Sequence, residues 1–183
     1  ENIDNPELFS EEIGRLFLTP TYLLDSFYEV TLSNSNPILH TGRIYSMWKD
    51  WRGECYSENP LFYHDWTDEA SEILLKMDEE FFELLKFLNV NTKHLLTLLQ
   101  HYEVSDAFTL TAKLKSISSF STIKSPMKQV SNGWVPDLTS RYFTEDFNYG
   151  LRFIYELAHQ NNISCPTIDK VYEWGVSLIN KSL

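Results

Sequence analysis

Two short segments carry the side chains best suited to proton chemistry: Asn36-Pro37-Ile38-Leu39-His40 and Arg141-Tyr142-Phe143-Thr144-Glu145-Asp146. An imidazole titrates near ~6.5 and can exchange protons at neutral pH. A carboxylate hydrogen-bonded to one ring nitrogen would fix its tautomer and stabilise the charged ring. The guanidinium of Arg141 has the planar fork that suits bidentate recognition of a carboxylate. Each residue also has an ordinary reading. A histidine after a turn is more often structural, an aspartate in a first helical turn complements the helix dipole, and an arginine is often a surface cation. Glu145 reads as a helix-start residue, and Tyr142 and Phe143 as packing groups. His40 and Asp146 lie far apart along the chain, so only the fold could bring them together.

Other constellations are weaker. His64-Asp65 with Asp68-Glu69 matches no zinc-ligand spacing and reads as a solvated acidic face, so no metal site is expected. His94 and His101 would share a face only if their helix continued past Gln100, and both read as surface positions. Trp48, Trp51, Trp66 and Trp174 are core candidates. Trp134 stands in a Ser-rich stretch, where it suits the lining of a substrate pocket or a covered partner surface, and equally a loop anchor.

The elements that must position these residues are mostly helical. The chain has 183 residues, 43% hydrophobic and 22% charged, which suits one globular domain able to bury a core. Aromatics reach 15%, so a dense aromatic core is expected. Residues 1–20 are acidic and end at Thr19-Pro20. The pattern from Tyr22 to Leu32 fits a buried helix, broken by Asn34-Ser35-Asn36-Pro37. A short helix is expected around Ile44 to Trp51, then a loop over 52–65. Asp68 to Leu88 carries a core-facing stripe, capped by Thr67 or Asp65. Further helices are expected over Thr92–Gln100 and Ser105–Lys115, with a long loop over 116–138. Thr144 is placed to cap a helix running to about Asn161, and Pro166 to open a final one. The fold class read from this is all-α, with six or seven helices.

Charge and cysteines narrow the setting. A formal net charge of −11 repels nucleic acid. Cys55 and Cys165 form no CxxC pair and suit a reducing compartment, so a cytoplasmic location is expected. No apolar run approaches a membrane span, so no membrane partner is expected. Glu1-Asn2-Ile3-Asp4 has neither basic nor apolar signal regions. The absence of an initiating Met fits a chain cut from something longer.

Four stretches carry a family resemblance: NPILH at 36–40, SRYFTEDFNYGL at 140–151, CPTIDKVYEWG at 165–175, and the long helix with the acidic stretch before it. In order and spacing they resemble the C-terminal helical substrate domain of the octopine/nopaline (opine) dehydrogenases, over nearly the whole chain. Family members often carry a proline directly after the histidine, and here it is Thr41. The resemblance implies that residues 1–183 form a substrate and catalytic helical domain, with the N-terminal NAD(P)-binding Rossmann domain absent. It implies a reductive condensation of an amino acid with a 2-oxo acid, using NAD or NADP. His40 and Asp146 would be the catalytic dyad, and Arg141 would bind a substrate carboxylate. The expected partners are those small molecules and the covalently linked Rossmann domain. Gly14, Gly42, Gly53, Gly133, Gly150 and Gly175 are too dispersed for a G-x-G-x-x-G cradle, so this chain alone is expected neither to bind the cofactor tightly nor to turn over. Two alternatives stand beside this reading: the substrate domain of a related hydroxy-acid or small-molecule dehydrogenase, and a non-catalytic helical interaction module.

Overall fold

The computed structural model describes residues 4–180. Its core is built on two helices that contact along their length, α3 (Asn36–Trp48) and α4 (Asp68–Phe87). In α4 the residues Ala70, Leu74, Met77, Phe81, Leu84 and Leu85 recur at helical spacing and are all buried. Thr67 begins it, its hydroxyl oxygen accepting from the Ala70 amide, as the sequence indicated. α3 is buried nearly all round, from Pro37 to Trp48. It starts eight residues before the expected Ile44. Pro37 does not break it but occupies the first turn, where no amide hydrogen is needed and the fixed φ already suits a helix. His40 therefore stands on a helix rather than after a turn.

The remaining elements wrap this pair. α1 (Pro6–Phe17) lies in the stretch read only as acidic and buries none of its residues. The expected helix over Tyr22–Leu32 shortens to α2 (Phe27–Thr31), capped by Ser26. α5 (Leu98–Tyr102) and α6 (Ala107–Ser116) each begin with a capping box, Thr97–Gln100 and Asp106–Thr109. The expected loop over 116–138 contains a 3₁₀ turn and a hairpin, β1 (Met127–Val130) and β2 (Gly133–Pro136), with Gln129 opposite Trp134. Gly133 has φ 135°, and a Cβ there would collide with the Tyr56 carbonyl.

The helix expected to start at Thr144 is already running there. Tyr142–Leu151 is a π-helical segment that continues directly into α7 (Arg152–Gln160). The Arg152 amide donates to the Phe147 carbonyl five residues back. Thr144 sits inside the segment and donates to the Ser140 carbonyl instead of capping. α8 (Pro166–Asn180) closes the domain. Glu80 of α4 reaches its first turn and accepts from the amides of Thr167 and Ile168 at 2.9–3.0 Å. The fold class is all-α as expected, with the small hairpin added. Among the described residues there are eight α-helical segments, two of them five residues long, beside the π-helical one.

Candidate active site

The contact between α3 and the π-helical segment sets the geometry. Gly150 faces Pro37 so closely that a Cβ there would lie 2.6 Å from the proline ring. This approach aligns His40 of α3 with Asp146 of the π-helical segment. His40 Nδ1 is 2.9 Å from Asp146 Oδ2, with the two side chains only 15% and 19% exposed. An ionised carboxylate only accepts, so Nδ1 is the donor and the neutral ring turns an unprotonated Nε2 away from Asp146. Tyr142 lies against the ring at 4.7 Å and Phe62 meets it edge-on at 5.9 Å, which fixes its plane.

Nε2 has a second partner that the sequence did not reveal. The Tyr63 hydroxyl lies 3.3 Å from it. Tyr63 is buried, stacked on Phe120 at 4.3 Å and near-parallel to Trp66 at 5.8 Å. Burial pushes its phenol well above the usual range, with Tyr142, Tyr102 and Asp146 adding to the rise, so it remains a neutral hydroxyl. The loop that carries it is tied to α3 by Arg43. This buried guanidinium donates from Nε to the Phe62 carbonyl at 3.0 Å and from a terminal nitrogen to the Asp65 carbonyl at 2.8 Å. It also lies over the Trp66 ring at 5.2 Å. Burial lowers the Arg43 pKa to about 10, partly offset by Asp65, and leaves it charged at neutral pH. Neither Tyr63 nor Arg43 has a motif around it that spacing could flag.

A cavity of about 350 Å³ opens beside the dyad, lined by His40, Asp146, Arg141, Glu145 and Tyr142 with Asn34 and Asn36. Arg141 is 84% exposed and forms a two-point ion pair with Glu145, Nε to Oε1 and the terminal nitrogen to Oε2, both at 2.8 Å. His40, Asp146 and Arg141 thus share one cavity. Trp134 does not line it. On β2, Trp134 exchanges backbone hydrogen bonds with Tyr56 at 2.8 Å in both directions and ties the hairpin to the 52–65 loop. Among the described residues no group of three or more His, Cys, Asp or Glu side chains could hold a metal ion. His64 instead pairs with Asp65, and His94 stacks on Tyr22 at 4.3 Å. No described helix is long and apolar enough to cross a membrane.

Residues 23–179 match the profile of the NAD/NADP octopine/nopaline dehydrogenase, alpha-helical domain. The chain belongs to this family. It is 28% identical over 158 residues to the tauropine dehydrogenase of Arabella iricolor, covering 80% of this chain and 40% of that protein. Identity to the opine dehydrogenase of Haliotis discus hannai is also 28%, over 80% of this chain and 39% of that protein. The octopine dehydrogenase of Mizuhopecten yessoensis is 24% identical over 88% of this chain and 43% of its own length. The chain therefore spans less than half the length of these family members. An octopine dehydrogenase solved with NADH and pyruvate superposes with a TM-score of 0.78 at 22% identity, over 98% of this chain and 45% of that one. A structure of octopine dehydrogenase with NADH and L-arginine gives 0.77, at 21% identity over 98% of this chain and 47% of that one. These superpositions show that the fold is that of the family's helical domain.

Proposed function

We propose that this chain is the substrate-binding and catalytic half of an NAD(P)-dependent opine-type dehydrogenase, which joins an amino acid to a 2-oxo acid by reductive condensation. In the full-length protein a Rossmann-type domain precedes it and holds the nicotinamide cofactor, which supplies the hydride. The related enzymes are named for opines, and solved structures of octopine dehydrogenase contain NADH with pyruvate, L-arginine or agmatine.

This chain's residues handle the protons. Asp146 holds His40 as the Nδ1–H tautomer and stabilises its imidazolium. His40 takes a proton from the substrate ammonium, freeing the nitrogen lone pair to attack the carbonyl carbon. It then returns a proton to the carbinolamine hydroxyl, which leaves as water. In the free enzyme the Tyr63 hydroxyl donates to Nε2 of the neutral ring; it gives way to the substrate ammonium, whose proton Nε2 accepts, and it can accept from the Nε2–H of the charged ring. Arg141 binds the 2-oxo acid carboxylate by exchanging Glu145 for it. The exposed Arg141–Glu145 pair holds weakly enough to be displaced.

The observation that carries this reading is the 2.9 Å His40–Asp146 contact inside a cavity that also holds Arg141. The test is steady-state kinetics of the full-length enzyme with His40→Asn and Asp146→Asn. Each is expected to lower kcat by roughly 10²- to 10⁴-fold, the usual share of general acid–base catalysis. Losses below tenfold in both would rule out the dyad.

A further inference from the structure

A second cavity meets the dyad from the other side of Asp146. Its volume is about 450 Å³, within the roughly 300–1,000 Å³ of small-molecule sites. It shares Asn34, Glu145 and Asp146 with the dyad cavity, so the two form one continuous surface. Away from that shared edge the character changes. Buried Leu32, Pro37 and Ile154 form the floor, and Phe27, Tyr149 and Phe153 stand around it. Phe27 and Tyr149 are 73% and 76% exposed, large apolar surfaces that a ligand could cover. The close approach of Gly150 to Pro37 shapes the base. No lysine, arginine or histidine lines this groove, and its only carboxylates are Glu145 and Asp146 at the shared edge.

Resting on the function proposed above, we infer that this groove is the side-chain subsite of the amino-acid substrate, and that the substrate is an amino acid with a sizeable apolar or aromatic side chain. The polar cavity takes the reacting groups: the amine beside the His40 ring, and a carboxylate on Arg141. The side chain then extends past Asp146 along Pro37 and Gly150 towards Phe153 and Phe27. A guanidinium reaching beyond Glu145 and Asp146 to Phe27 and Phe153 would lie against apolar walls with no carboxylate beside it, which is costly. Glycine or taurine would leave the apolar walls uncovered and forgo the gain of burying them. The two carboxylates at the junction also repel an acidic side chain.

The experiment is a comparison of amine substrates on the full-length enzyme, with NADH or NADPH and pyruvate. L-Phenylalanine, L-leucine and L-methionine are set against L-arginine, glycine, taurine and L-glutamate. The apolar set is expected to exceed the others in kcat/KM by about tenfold or more, the discrimination that even one methylene brings in an apolar pocket. Phe27→Asp lies on the exposed rim and leaves the core intact. It should raise KM for the apolar amino acid about tenfold and leave KM for pyruvate unchanged; Phe153→Ala should do the same. A preference for L-arginine, glycine, taurine or L-glutamate overturns the inference while the dehydrogenase reading stands. Equal shifts in both KM values on Phe27→Asp also overturn it. Failure to turn over any amine with pyruvate removes the reading beneath, and the inference falls with it.

Discussion

His40 is held at both ring nitrogens by groups of opposite character. Asp146 fixes Nδ1 through a charged acceptor, while Tyr63 meets Nε2 with a hydroxyl that can either donate or accept. The imidazolium draws more from the Tyr63 oxygen than the neutral ring draws from its hydrogen, because hydrogen bonds to charged groups are stronger. Tyr63→Phe removes that oxygen and leaves a buried ring edge against Nε2. The expected result is a lower kcat together with a changed ¹⁵N signal of Nε2, which has lost its hydrogen-bond partner. A residue that merely fills space would change kcat without changing that signal. Of these contacts, the sequence disclosed the ends: His40, Asp146 and Arg141 stand in recognisable segments. Tyr63 does not, since Leu61-Phe62-Tyr63-His64 has the look of any aromatic loop, and its hydroxyl finds His40 only through the anchoring of that loop by Arg43.

At the scale of elements, periodicity revealed what is long and one-sided. α4 was legible end to end because its stripe and its Thr67 cap agree. The start of α3 was hidden because a proline marks either a break or a first turn, and local sequence does not separate the two. The π-helical segment was hidden because apolar spacings of three, four and five overlap over ten residues, and the hairpin because its four-residue strands hold too little alternation. One junction between elements has a pH signature. Asp78 of α4 accepts from the Leu98 amide at 3.0 Å and so anchors the start of α5. Burial raises its pKa from 3.8 to about 6, only partly offset by that hydrogen bond. The folded state therefore holds a proton between about pH 4 and pH 6 that the unfolded chain has released, and stability from this group falls as pH rises through that window. His94 and His101 line the cavity beside it. Asp78→Asn keeps an acceptor for Leu98 without the charge. It is expected to stabilise the domain at pH 7–8 by on the order of 1–2 kcal/mol, discounted for solvent at the cavity mouth, and to bring no gain below about pH 4. Urea titrations at the two pH values check this, and a gain of equal size at both would contradict the ionisation argument.

At the scale of the whole molecule, the chain carries a net acidic charge, a polar cavity around His40 and an apolar groove, but among the described residues no glycine-rich turn opens a helix after a strand. A dinucleotide pyrophosphate is held where backbone amides at a helix N-terminus can approach it without a Cβ in the way. The six glycines here are dispersed, and the chain's net charge of −11 repels a polyanion further. On the function proposed above, cofactor affinity would belong to a preceding domain, and the amino acid and 2-oxo acid would meet the hydride where the two domains face each other. The 183-residue chain by itself is accordingly expected to show no micromolar stabilisation by NADH or NADPH in a thermal-shift titration and no turnover with pyruvate and any amino acid. The full-length enzyme should show both. Specific micromolar binding to the isolated chain would place part of the cofactor site on the helical domain. Because ligand stabilisation grows with the logarithm of concentration over Kd, a titration from micromolar to millimolar separates that case from weak contact at the domain surface.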